Sequence, residues 1–424
     1  MAMAAPVRSN TPNAGGTAPM SLQQQNTLAR ALIMQRATNM IQPLPGVTIT
    51  NPGNTNNVLA FNNIRLVGFL KRFYIEVQAT ITNTGATNTL NLTNLGLSQL
   101  LSRITFTDLA NNVRHNAAGW CFHMVASAKR ESPFGSCFSL IDPVANVNNL
   151  PQAQYNYGVG FGNNYSPQKV ANNTNAILGA NIAPGQSATA NIVYEIPISY
   201  DDVNLSGGMW LGVTSANPQL QITINPNPGA NSASDTTFSV YRSATGAADC
   251  VISSITVNVY QNYLDQLPVD QNGRVILPVE DISTVYMIQD SNGPQGLAQN
   301  TDYPIPYANA RDFISTFAIF DNGGTLNPGT DVAYWAIQAA NFINFIKTDA
   351  NVNAMLSRNT IGMDWPVGMA YFNHRFKPIS TAQFGNTELV LNASQVNANA
   401  FVRICYEMFA RVNLVPQAAA LSFG

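Results

Sequence analysis

Between residues 251 and 288 the chain reads VISSITVNVYQNYLDQLPVDQNGRVILPVEDISTVYMI. Ile255, Val257 and Val259 alternate with Ser254, Thr256 and Asn258, the period-two pattern of a strand with one face in a core. The run continues to Tyr263 and Leu264, stops at Pro268, and crosses a polar turn at Asp270-Gln271-Asn272-Gly273. A second apolar run, Val275-Ile276-Leu277, follows, so one β-unit closes here and another opens. Near the far end Val402, Ile404, Tyr406 and Met408 alternate with Arg403, Cys405 and Glu407, which predicts a closing strand of the same kind.

Ser21 is a predicted N-cap for a helical run, SLQQQNTLARALIMQRATNMIQ, ended by Pro43 and Pro45. Leu28, Leu32, Ile33, Ala37, Met40 and Ile41 form its expected apolar face. Strands begin near residue 58, and Phe73, Ile75, Val77, Ala79 and Ile81 alternate cleanly before a turn at Asn83-Thr84-Gly85-Ala86. A short helical phrase with Leu97, Leu100, Leu101 and Ile104 on one face then passes into ITFTDL. Further strands are expected over 190–196 and 220–224. The second half repeats the order: an apolar run with Phe313, Phe317, Ile319 and Phe320, then a turn at Asp321-Asn322-Gly323-Gly324. From Thr330 and Asp331 a helix is predicted, with Val332, Trp335, Ala336, Ala339, Phe342 and Ile343 on its apolar side. Residues 141–190, including NLPQAQYNYGVGFGNNYSPQ, read as a long excursion from the first unit, the kind of loop that makes contacts. Two successive units of short strands divided by Gly/Pro/Asn loops predict an all-β protein of two sandwiches or jelly rolls.

Composition adds a second feature. A chain of 424 residues exceeds one ordinary core and suits two domains with appended arms. Charged residues make up 10%, against roughly 25% in ordinary soluble domains, while roughly one residue in eight is Asn. A surface solvated by neutral amides and hydroxyls can meet many copies of itself without accumulating repulsion, which suits a crowded assembly; a loop-rich secreted β-protein would look similar. The charge is also uneven. The first 75 residues carry +6 and the remainder −8 within a net charge of −2, because no acid precedes Glu76. A basic N-terminal segment on a near-neutral body faces something anionic, nucleic acid or lipid headgroups.

Candidate chemistry is sparse. Cys121, Cys137, Cys250 and Cys405 form no CxxC pair, and Cys121 and Cys405 read as small core hydrophobes. His115, His123 and His374 have no metal-binding spacing, and His123, beside Trp120, is expected on a packed strand. The GxGxG of Gly158, Gly160 and Gly162 is followed by Asn163-Asn164-Tyr165 rather than a helix start, so it is no phosphate cradle. Asp201-Asp202 and Asp321 read as turn formers rather than a glycosidase pair, and calcium around Asp321, Asn322 and Asp331 lacks an EF-type spacing. No active site and no cofactor are expected. The N-terminus lacks an apolar signal core and no run of 18 apolar residues occurs, so a reducing compartment is expected.

Three phrases are specific: GAADC (246–250), YQNYLDQLPVDQNGRVILPVEDISTVY (260–286) and FAIFDNGGTLNPGTD (317–331). With ITNTGATNTLNLTNLG near residue 81, RHNAAGW at 114–120 and QFGN at 383–386, the chain resembles the major capsid protein of tectiviruses, tailless bacterial viruses with an internal membrane. The resemblance runs with gaps from about residue 60 to 415 and departs over 130–190 and at both termini. It implies a double jelly roll, two eight-stranded β-barrels side by side, with an N-terminal helix and short inserted helices. It further implies an arm and helix at 1–57, a first jelly roll at 58–261, a linker at 262–274, a second jelly roll at 275–412 and a C-terminal arm at 413–424. Three chains would form a pseudo-hexagonal capsomer in an icosahedral shell, with the 141–190 excursion in the outer tower or a trimer contact. Expected partners are other copies of the chain, internal membrane lipids reached by Arg8, Arg30 and Arg36, and minor capsid or vertex proteins, without sequence-specific nucleic acid binding. The protein would reside in the virion and pass through the bacterial host cytoplasm during assembly. The rival readings are a paired jelly-roll protein that binds or hydrolyses glycans, and a spike or adhesin.

Overall fold

The computed structural model describes residues 21–129 and 181–411, apart from 54–55, 93–95, 203–204, 213–217, 227, 232–238, 244–248, 278–283, 294–295, 324–330, 340–342 and 362–368. The expected arms at 1–20 and 413–424, most of the 141–190 excursion, its GxGxG, Cys137 and Arg8 lie outside the described residues.

The first half comprises α1 (Leu22–Arg36), β1 (Thr38–Pro43), β2 (Val47–Thr50), β3 (Val58–Phe61), β4 (Phe69–Asn83), β5 (Leu90–Leu92), β6 (Leu101–Thr107), β7 (Val113–Ala117), α2 (Gly119–Lys129), β8 (Asn181–Ile182), β9 (Ser187–Pro197), β10 (Met209–Trp210), β11 (Gln219–Ile224), β12 (Gly229–Asn231), β13 (Tyr241–Ser243) and β14 (Cys250–Asp265). The second comprises β15 (Thr284–Asn292), β16 (Asp302–Pro306), β17 (Asp312–Asp321), β18 (Val332–Ala339), β19 (Ile343–Thr348), α3 (Ala350–Ile361), β20 (Met369–Asn373), β21 (Ile379–Ser380), β22 (Thr387–Ala393) and β23 (Phe401–Arg411), with a helical turn at Thr381–Phe384.

The alternating stretches behave as their periodicity requires. Phe73, Ile75, Val77, Ala79 and Ile81 of β4 and Ile255, Val257 and Val259 of β14 are all fully buried, and the two strands pair antiparallel almost end to end. β14 runs to Asp265, four residues into the stretch expected as linker, and its last six residues pair with β1.

α1 begins with a complete capping box: the Ser21 hydroxyl accepts from the Gln24 N–H at 3.2 Å, and the Gln24 side chain accepts from the Ser21 N–H at 3.0 Å. The helix stops at Arg36, earlier than its sequence suggests. Thr38–Pro43 instead extends along β14, covering an edge that would otherwise be open. The expected apolar face shifts accordingly. Asn26, Ala29 and Ile33 are buried, while Leu28 and Met34 on α1 and Ile41 on β1 are exposed. Ile33 packs with Phe69, Leu205 and Leu264. Leu277 joins the rim of that cluster, and Val275 makes a lone bridge to Val269. The Val275–Leu277 run therefore folds back on the first half; the first strand of the second half is β15.

The second half builds two four-stranded layers, β20-β17-β23-β15 and β16-β22-β18-β19, around Phe313, Trp335, Ile337, Phe372, Leu389 and Leu391. The helix expected from Thr330 is a β-hairpin, β18–β19. Irregular register between Val332 and Tyr334 and between Ile337 and Gln338 shifts β18 out of strict alternation. Its buried Val332, Trp335, Ala336 and Ala339 thereby imitate helical spacing, although the strand is rich in β-forming aromatics. The second-half helix comes later, as α3.

One sheet spans both halves. β15 pairs antiparallel with β23 on one side and parallel with β7 on the other, at Ile288↔His115 and Gln289↔Asn116. The order β20-β17-β23-β15-β7-β6-β11-β3 makes nine strands with β21.

Candidate functional site

Of the chemical groups the sequence singles out, the thiols of Cys121 and Cys405 meet in a hydrogen bond, while the histidines lie apart from one another in the chain's elements. His115 is fully buried, His374 lies in the turn after β20, and His123 sits on α2 rather than on the expected strand, in a packed apolar helix. Cys121 and Cys405 are both fully buried, and burial pushes both thiols up. Asp202 pairs with Lys71 at 3.2 Å and with Arg72. Among the described residues no group of three His, Cys, Asp or Glu could hold a metal ion, and no helix is long and apolar enough to cross a membrane. Arg30 is half-buried on α1 and Arg36 is exposed in its last turn.

The concentrated polar chemistry lies where the halves meet. The strand with Val402, Ile404 and Met408 was expected to have one wet face. Both faces are buried: Cys405 and Glu407 are fully covered and Arg403 nearly so. What covers them is α2 of the first half. Gly119 lets this helix start close in, since a Cβ there would meet the Ser98 carbonyl oxygen and the Tyr194 ring at 2.7 Å. Trp120, Cys121, Phe122, Met124 and Val125 are then all buried, and the Arg403 guanidinium stands 5.6 Å over the Trp120 ring.

At the C-terminal end of α2 a buried charge cluster ties the halves. Glu407 Oε1 lies 3.3 Å from Lys129 Nζ and accepts the Tyr286 hydroxyl at 2.7 Å. Glu407 Oε2 lies 3.4 Å from Arg375 Nη2 and accepts the Ser315 hydroxyl. Arg375 also donates to the Ala128 carbonyl, and Lys129 to the Tyr200 carbonyl at 3.1 Å. The ammonium stands 4.0 Å from the Tyr286 ring centre and 4.4 Å from that of Tyr200. Burial alone would raise the Glu407 carboxyl, but Arg375, Lys129 and the two hydroxyls hold it below its ordinary value. Burial pushes Lys129 down to about 8 against the pull of Glu407. This is a buried, paired ion cluster, which loses its balance if one member is removed.

At the other end of α2, Asp290 of β15 accepts from Arg103 at 2.6 Å and from the Ala118 N–H at 3.0 Å, setting a carboxylate at the helix N-terminus. Between the two ends, His115 Nδ1 accepts the Ile288 N–H at 3.0 Å. Burial, with Arg114 and Lys129 nearby, pushes His115 down to about 3, so it is neutral as the bond requires. The arrangement fixes two β-units at one relative orientation.

Of these seam residues the sequence singled out His115 and Cys121 as candidate chemistry and named Arg403 and Glu407 as polar positions of a strand, but it did not point to Lys129, Arg375 or Asp290. The available signal was Cys405 sharing a strand face with Arg403 and Glu407, an odd companion for a solvated face.

The comparisons with known proteins agree with this construction. The family model described as P3 major capsid protein N-terminal matches residues 4–267, and that described as P3 major capsid protein C-terminal matches residues 283–422. The major capsid protein P3 of Enterobacteria phage PRD1 is 35% identical over 397 residues, 92% of each chain. Among solved structures, the STIV MCP has a TM-score of 0.58 at 9% identity, covering 90% of this chain and 99% of that one. PBCV-1 VP54, fitted into a reconstruction of the virophage Sputnik, has a TM-score of 0.51 at 11% identity, covering 88% and 94%. The all-β double jelly roll implied by the sequence resemblance is the fold of the chain.

Proposed function

The chain belongs to the P3 major capsid protein family, and from that premise we propose that three copies form a pseudo-hexagonal capsomer in an icosahedral shell over an internal lipid membrane. The role is structural and not enzymatic, as it is for the relatives, which are capsid proteins, and it entails self-association. The glycan-directed and spike readings are set aside on that ground.

The observation that carries the proposal is the seam, where one continuous sheet and a buried ion cluster join two sandwich units. A chain so built carries two blocks at a fixed angle, and three such chains present six blocks to a hexagonal lattice. We take the first jelly roll from 58 through the end of β14 at Asp265 and the second from β15, so that the linker expected at 262–274 begins after Asp265, with 1–57 and 413–424 as arms. The 141–190 excursion is assigned to the outer tower or a trimer contact. Vertex or minor capsid proteins are the further partners, and assembly takes place in the bacterial host cytoplasm.

The α1–β1 end is assigned to the membrane side. Exposed Leu28, Met34 and Ile41 stand there with Arg30 and Arg36, an apolar surface fringed by cations, and Arg8 adds to the charge. Each arginine near an anionic surface contributes about 1 kcal/mol at most. The test is the mass of the purified species together with flotation on anionic vesicles. A trimer whose vesicle binding disappears on reversing Arg8, Arg30 and Arg36 to Glu is expected. Unchanged vesicle binding and particle yield would remove the membrane assignment, and a monomer that binds glycans would overturn the capsid reading.

A further inference from the structure

Three Asn-Gly pairs occur in the chain, at Asn272-Gly273, Asn292-Gly293 and Asn322-Gly323. The dipeptide is chemically vulnerable. The glycine nitrogen can attack the carbonyl carbon of the asparagine side chain, and without a Cβ on the glycine nothing shields the approach. Whether the attack succeeds depends on whether the fold leaves the side chain and the following peptide free to rotate into contact. The three pairs differ in that respect.

Asn322 is 1% exposed, and its Oδ1 accepts the Asn397 N–H while the Asn397 amide donates to the Asn322 carbonyl at 3.0 Å. Side chain and backbone are both tied to the loop before β23. Gly293 is held at the attacking atom itself. Its N–H donates to the Val402 carbonyl at 2.7 Å, and a Cβ added to it would meet the Val402 Cβ at 2.7 Å, so the backbone there is closely packed. Asn292 is the last residue of β15, in register with Arg403.

Asn272-Gly273 has neither restraint. It sits in the turn closed by the lone Val269–Val275 bridge, and Gln271, Asn272, Gly273 and Arg274 are all exposed. A Cβ on Gly273 would find nothing within 4 Å. The bonds that shape the turn are its own. Asp270 Oδ1 accepts the Asn272 and Arg274 N–H groups, each at 2.8 Å, and the Gly273 N–H donates to the Asp270 carbonyl at 3.1 Å. Freeing Gly273 breaks that one solvated bond, whereas freeing Gly293 or Asn322 means parting backbone that packs on β23 or on the loop before it.

We infer that Asn272 is a site of spontaneous deamidation in the folded chain, and that the linker between the halves ages there. The Gly273 nitrogen bonds to Asn272 Cγ and gives up its proton, and Nδ2 leaves as ammonia, closing a cyclic succinimide. Water then opens the ring. Breaking the bond from nitrogen to Cγ leaves aspartate; breaking the bond from nitrogen to the main-chain carbonyl carbon leaves isoaspartate. One water enters, one ammonia leaves, and no oxidant or cofactor takes part. Either product puts a second carboxylate two residues from Asp270. Isoaspartate also threads the backbone through the side-chain methylene, inside a turn whose bonds all converge on Asp270, including its N–H to the Arg274 carbonyl at 2.8 Å. It thereby loosens the turn that folds Val275–Leu277 back on the first half.

The test ages the full-length folded chain in mildly alkaline buffer beside a sample unfolded in urea, and follows both by peptide mass and isoaspartate methylation. In the folded chain Asn272 is expected to convert at least about tenfold faster than Asn292 or Asn322, and in urea the three rates should come together. Asn292 or Asn322 converting as fast as Asn272 in the folded chain would overturn the assignment. So would an intact Asn272 in the folded chain once the urea sample has converted. Asn272→Gln, whose longer side chain closes the ring far more slowly, should stay unmodified. After ageing, trypsin should cut at Arg274 severalfold faster in wild type than in Asn272→Gln; equal cutting of the two aged samples would defeat the loosening of the turn.

Discussion

α2 and α3 are helices of 11 and 12 residues, one in each half. α2 is apolar nearly all round and covered nearly all round, with its last residues, Ala128 and Lys129, gripped by Arg375 and Glu407. α3 turns two polar side chains inward, the Asn353 amide bonding to Tyr371 at a sheet edge, and exposes Val352, Met355 and Leu356. The difference teaches that what a helix packs against within the fold can decide its polarity. A helix at a seam completed within one chain can be apolar throughout, because folding covers it. A helix at a sheet edge can instead be anchored by hydrogen bonds, as the Asn353 amide anchors α3 to Tyr371 of β20.

The sharpest way to break the comparison is to unbalance the seam. Glu407→Gln leaves Lys129 and Arg375 buried without their carboxylate, and a loss of roughly 3–5 kcal/mol in unfolding free energy is expected. Asp202→Asn is the control. It also removes a carboxylate from a two-cation cluster with Lys71 and Arg72, but Asp202 is half exposed, so its loss should stay under about 1 kcal/mol. Equal effects in denaturant titrations would mean that the seam is no more than another surface contact.

Acid provides the next largest lever. Burial holds His115, at the seam, at about 3 and His374, on the turn after β20, at about 4, both below the ordinary 6.5. The unfolded chain therefore takes up protons first. Each histidine contributes stability that is complete above pH 6.5 and falls as pH drops toward its folded value, at roughly 1.4 kcal/mol per pH unit. Between pH 7 and pH 5 the expected loss is about 2 kcal/mol for each. His115→Asn and His374→Asn should each remove their own share of that slope. A slope that survives both substitutions would place the acid sensitivity elsewhere.

How much of this was legible depends on where a residue's cover comes from. β4 and β14 are covered by neighbours that leave their outer faces wet, so period two came through, and Ser21 with Gln24 announced the start of α1 because a cap is local. β23 failed as a half-buried strand because its second face is covered by α2, nearly 300 residues earlier in the chain. β18 failed because register irregularities displaced its buried residues onto helical spacing. The α1 face failed because Thr38–Pro43 left the helix to pair with β14. The three phrases shared with tectivirus capsid proteins indicated the family, yet they omit the Lys129 and Arg375 partners of the seam, and only Tyr286 of the Glu407 cluster falls within them.

The smallest effect concerns α1, which stands in contrast to both other helices. It carries a cap, but its described core contact is one small cluster around Ile33. Ser21→Ala removes the acceptor for the Gln24 N–H and should cost about 1 kcal/mol. The loss should be local. Amide exchange should accelerate at Gln24 and Gln25, whose N–H groups bond to Ser21, while amides of β15 and β23 keep their protection. If β15 and β23 exchanged faster to the same degree, α1 would be one cooperative unit with the seam. The N-terminal end would then be an integral wall of the first jelly roll rather than an adjustable foot beneath it.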